Sequence, residues 1–165
     1  MRRTFWYRRY RGAAYVSTLA ALLWTLIIVL PVEPFSYLPP IIVGGGSGIW
    51  LVLAYVLFMV VGIGGFGALS AFLTTVEIHE NRVVDDRTMW PALILLGVGV
   101  AGSCALLGVA GTMGGYAATY QGSSTDAIHN LLSPYVDPIT TLVLIAIVGA
   151  ALAVLSMVRA RWPSP

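Results

Sequence analysis

The chain has 165 residues, of which 58% are hydrophobic and 10% charged, with a net charge of +2. A soluble domain carries roughly 25% charged residues, so this composition excludes a water-soluble fold, a disordered chain and a nucleic-acid binder with a basic face. The single cysteine, Cys104, excludes an internal disulfide framework and a four-cysteine zinc site.

The chain opens MRRTFWYRRYRG, which interleaves aromatic rings with arginines. Rings at headgroup depth with guanidinium groups on anionic phosphates predict a membrane-surface anchor. Arg2, Arg3, Phe5, Trp6, Arg8, Arg9 and Arg11 would form it, with a partner-docking arm as the alternative. A first uncharged apolar run follows over 13–32. The connection after it carries a Pro39–Pro40 pair and a Gly44–Gly46 triplet, which predict a stiff segment and then a tight turn. The second apolar run covers 48–76; at 1.5 Å per residue it would rise about 43 Å and so tilt or project.

The next connection, EIHENRVVDDR, gathers acidic groups around one imidazole. Glu77, His79 and Glu80 are the candidate divalent-metal ligands. The alternative is a solvated helix end paired with Arg82 and Arg87. The third run covers 90–113. In the connection after it, Ser123 or Ser124 can cap a short amphipathic helix carrying Ala127, Ile128, Leu131 and Leu132, closed by Pro134 and Pro138. Tyr116, Tyr120 and His129 of this connection are candidate lipid or quinone contacts. The fourth run covers 138–158.

Each run reaches the roughly 20 residues that cross a bilayer core. Continuous apolar runs favour helices over the alternating short segments of a barrel. The expected fold is therefore all-α: one integral membrane domain, 1–165, with four transmembrane helices. All nine arginines fall in the N-terminal segment, the 77–87 connection and the C-terminal segment; lysine is absent. This one-sided distribution predicts both termini in the cytoplasm of a multi-pass cell-membrane protein.

Small residues recur at four-residue spacing. Span two offers Gly62, Gly64, Gly65, Gly67, Ala68 and Ala71; span three offers Gly97, Ala101, Ala105 and Gly108. Span four pairs Ala146 with Ala150 and Gly149 with Ala153. Such stripes let helix backbones approach, either inside the bundle or against another subunit. Gly64 and Gly67 are expected at buried contacts with span three or a partner, with Val60 and Val61 facing lipid. The glycine-rich stretch has no following lysine, so it is no phosphate loop.

Catalytic constellations are lacking. There is no CxxC pair, and no serine or threonine has a sequence-evident histidine and acid partner. His79 and His129 fall on opposite sides of the membrane and cannot jointly hold one haem. No Asp, Glu, Arg or His lies inside a span, where ionisable groups would mark a transport path or proton relay. The expectation is a non-enzymatic accessory subunit with no cofactor of its own, in contact with other membrane subunits, structural lipids and anionic lipids. The helix count, size and lack of redox ligands resemble small polytopic accessory subunits of prokaryotic haem-copper respiratory oxidases. That resemblance implies a chain that braces catalytic subunits in an electron-transport complex. A small homo-oligomeric transporter or channel, and a quinone- or lipid-binding subunit, are the alternatives. Only three amide side chains, Asn81, Gln121 and Asn130, hint at a heat-adapted source.

Overall fold

The computed structural model describes residues 5–33 and 35–162. Arg2 and Arg3 of the predicted anchor lie outside them. Among the described residues, four helices are long and apolar enough to cross a membrane. Helix α1 is Trp6–Val29. A single turn, Phe35–Tyr37, leads into the short helix α2, Leu38–Val43. The second span, Gly46–His79, is one continuous rod. It contains α3, Ile49–Leu57, then a π-helical stretch, Phe58–Gly65, then α4, Phe66–Thr74, and a final π turn, Thr75–His79. Helix α5 is Asp86–Tyr120 and α6 is Thr125–Val158.

The connections follow local chemistry. Pro39 and Pro40 occupy the first turn of α2, where a missing amide costs nothing. Gly45 and Gly46 then take positive φ values of 69° and 56°, which turn the chain into the second span. Asp85 caps α5: its carboxylate accepts from the Arg87 amide at 3.2 Å and from the Thr88 hydroxyl at 2.9 Å. The Thr88 hydroxyl, then the Arg87 amide, hold the Asp85 carboxyl below the usual carboxylate range. Ionised Asp85 therefore stabilises the fold above that range, and this contribution fades as the pH falls through the lowered folded-state value.

The connection between α5 and α6 departs from the sequence expectation. The predicted short amphipathic helix is the start of α6 itself, and the turn is only 121–124. Ser124 is the cap, accepting from the Ala127 amide at 3.3 Å. The helix runs on through Pro134 and Pro138. Pro134 has no amide to give the Asn130 carbonyl, and the Ser133 hydroxyl donates to that carbonyl instead, at 3.4 Å. At 1.5 Å per residue, the 35 residues of α5 and 34 of α6 rise about 50 Å, well beyond a hydrocarbon core.

Helix α5 is the centre of the bundle, flanked by α6 on one side and α3 on the other; α1 packs chiefly on α4 and the π stretch. The glycines of α5 set both approaches. A Cβ on Gly99 would meet the Ala146 backbone, and one on Gly149 would overlap the Leu96 amide and crowd the Ala92 carbonyl. The two helices thus present a glycine to each other's main chain at one crossing. On the opposite side, a Cβ on Gly111 would overlap the Leu51 amide, and one on Gly108 would sit 3.0 Å from the Trp24 ring.

Within the described residues the small-residue row of span two is used only in part. Gly62 is packed against Phe58 and Ser17, but Gly64 and Gly67 have open space where a side chain would stand. Ala68 and Ala71 are exposed beside them, as are Ala101 and Ala105 of α5. The π stretch rotates the rod so that Phe58, Gly62, Phe66, Ser70 and Leu73 face inward, which turns the Gly64–Ala68 row away from the bundle. Gly65 meets only Val61 of its own rod, and Gly97 only the tip of Phe66 at 3.9 Å. Val60 faces outward as expected, whereas Val61 packs partly on the core.

Candidate functional site

The arginine-bearing end is built around Glu77. This residue closes the second span, where the final π turn directs its side chain inward; it is 3% exposed. Its carboxylate accepts from the main-chain amides of Trp6 and Tyr7, both at 3.1 Å. Those amides open α1, whose N-cap residue, Phe5, makes no side-chain capping bond. A carboxylate some seventy residues away therefore supplies the cap and meets the positive end of the helix dipole. Ser70 adds a second tie, donating to the Tyr7 carbonyl at 2.9 Å.

Trp6 is wholly buried here, with its indole N–H donating to Asp86 at the start of α5. Its ring meets Trp90 edge to face, 5.3 Å between centroids at 87°. The Arg9 guanidinium stands 4.1 Å from the Trp90 ring centroid and 4.8 Å from that of Trp6. Among the described residues its Nη1 is buried without a hydrogen-bond partner, so ring quadrupoles compensate part of its lost hydration. The predicted surface anchor is thus corrected in part. Trp6 and Tyr10 are core residues of a helix continuous with the span. Arg8 and Arg11 are exposed and lie over the Tyr7 ring at 5.7 and 5.6 Å, while Phe5 is half-buried. The burial of Trp6 against Glu77 carries no signature in sequence.

The proposed metal trio is separated in role. Glu77 is committed to the α1 amides, and His79 and Glu80 are exposed. Among the described residues no group of three His, Cys, Asp or Glu side chains comes together. Glu80 pairs with Arg82 at 3.2 Å. Arg82 also donates to the Ala160 and Val158 carbonyls, closing the C-terminal end of α6. Val83 and Arg161 exchange two main-chain hydrogen bonds, at 2.7 and 3.0 Å.

At the arginine-free end the structure brings Tyr116 and Tyr120 together and leaves His129 apart. The two rings stack with centroids 5.2 Å apart and 28° between planes. Tyr37 meets Tyr116 edge-on at 5.7 Å and 73°. With Glu33 and Ser36 these rings line an open groove of about 430 Å³. Tyr37, Ser36 and Glu33 were absent from the sequence-derived site; their closeness in sequence to one another was the available clue. A second groove, between α5 and α6, is lined by Leu106, Met113, Leu131, Pro134, Tyr135 and Pro138. Compared with known protein families, curated proteins and solved structures, the chain matches none.

Proposed function

We propose that this chain is a non-catalytic multi-pass subunit of the cell membrane that braces a larger membrane complex, with both termini in the cytoplasm. The observation that carries the reading is the outward row of Gly64, Gly67, Ala68 and Ala71. Glycine in a helix costs about 0.8–1.0 kcal/mol relative to alanine in water, and at Gly64 and Gly67 no neighbour among the described residues uses the space gained. Close approach by a helix of another subunit would use it. The apolar runs 13–32, 48–76, 90–113 and 138–158 hold no charged residue, which supports the same reading, since a transport or redox path ordinarily needs ionisable or ligating groups there. A respiratory electron-transport complex such as a haem-copper oxidase is the assembly that the chain's organisation best resembles.

Purification of the tagged chain from its own membranes in mild detergent tests this. Integral membrane partners are expected at fixed stoichiometry with the parent chain, and their loss with Gly64→Leu or Gly67→Leu. A chain that purifies alone with its own turnover or haem spectrum would overturn the proposal, as would variants that keep every partner. Orientation is checked separately: a reporter fused to either terminus is expected to be active only in the cytoplasm, and activity outside the cell refutes the topology.

A further inference from the structure

The groove at the arginine-free end has a composition that selects its occupant. Its walls are the Tyr37 and Tyr116 rings, set at 73° like two sides of a corner, with the Tyr120 ring stacked on that of Tyr116. Its polar edge is the exposed carboxylate of Glu33 with the Ser36 hydroxyl. The rings are available: Tyr116 is 41% and Tyr120 49% exposed. The surrounding segments, 30–50 and 114–137, carry Glu33, Asp126 and Asp137 and no arginine, and the chain has no lysine. The local field is therefore negative, with no arginine or lysine at this end to neutralise the carboxylate.

Converging ring faces attract cations through their quadrupoles, and aromatic corners with a nearby carboxylate are suited to ammonium groups too diffuse to need tight hydration. An anion would be repelled by Glu33. We propose that Tyr37, Tyr116, Tyr120 and Glu33 form a binding site for an organic ammonium cation. Two sources carry that chemistry: the ammonium headgroup of a zwitterionic lipid and a soluble quaternary ammonium compound. The site does not depend on the chain's having a partner subunit.

The test uses the full chain in nanodiscs of phosphatidylglycerol, which lacks an ammonium group, titrated with choline by calorimetry. Saturable binding is expected. Tyr116→Leu and Glu33→Gln should each weaken it about tenfold, the effect of losing one partly desolvated cation–π or charge contact. Glu80→Gln, an exposed carboxylate at the arginine-bearing end, should leave it unchanged. The substituted side chains are exposed, and an unshifted thermal transition for each variant verifies folding. A parallel arm measures whether phosphatidylethanolamine is retained over phosphatidylglycerol in native mass spectrometry. Retention lost in Tyr116→Leu assigns the site to the lipid headgroup; choline binding without lipid preference assigns it to a soluble cation. Absence of both, or the same affinity in the parent, Tyr116→Leu and Glu33→Gln, overturns the proposal.

Discussion

Gly149→Val is expected to destroy the α5–α6 contact. The first added carbon already overlaps the Leu96 amide and crowds the Ala92 carbonyl. These are main-chain atoms inside a helix, so no rotamer change relieves the clash and the helices must separate. Overpacking of this kind costs about 3 kcal/mol, more when backbone is the obstacle. Separation would also strip contacts at Gly99 and Ala146, where the reciprocal approach occurs. Detergent-solubilised Gly149→Val should lose its monodisperse gel-filtration peak or melt well below the parent. Gly64→Leu should behave as the parent in that assay, since no described atom lies within 4 Å of where its Cβ would stand. Equal thermal stability of Gly149→Val and the parent would show that α5 and α6 do not meet as described.

Glu77→Ala is the second large effect. It removes the acceptor from two main-chain amides at a helix start whose first residue, Trp6, is fully buried. Water cannot readily take the carboxylate's place, so the loss is about 3 kcal/mol, within the range for leaving buried donors unsatisfied. Glu77→Gln should fall between the two: its carbonyl oxygen serves one amide, but its NH2 faces the other donor. Hydrogen exchange at the Trp6 and Tyr7 amides reads the effect directly, with strong protection in the parent and fast exchange in Glu77→Ala. Unchanged protection in Glu77→Ala would remove Glu77 from its capping role.

The four spans were legible because hydropathy and length are local properties that a bilayer reads in the same way. The Ser124 cap was legible for a similar reason, being set by one hydroxyl and the amide three residues on. The limits of α5 and α6 were not legible, because helix continues past the hydrocarbon where apolar content stops reporting it. Pro134 also looked like a terminator, and only the Ser133 hydroxyl donating to the Asn130 carbonyl explains its tolerance. The choice among glycines depended on helix rotation. Gly64 and Gly99 look equivalent in sequence, yet the π stretch turns one outward while the other meets Ala146. The site residues divide likewise. Tyr116 and Tyr120 lie one turn apart and could be paired by spacing, whereas Tyr37 joins them only through the fold.

The Glu77 cap imposes an order on biosynthesis. When α1 first leaves the ribosome, the group that completes its opening turn has not yet been translated. Its Trp6 and Tyr7 amides remain open to solvent until the second span has been made and has brought Glu77 back to them. The same holds at the other end of the chain, where Arg82 waits for the carbonyls of Val158 and Ala160. Each terminal helix is thus finished by a residue of the 77–82 connection, so a nascent chain arrested before residue 77 should hold a first helix that is inserted but frayed.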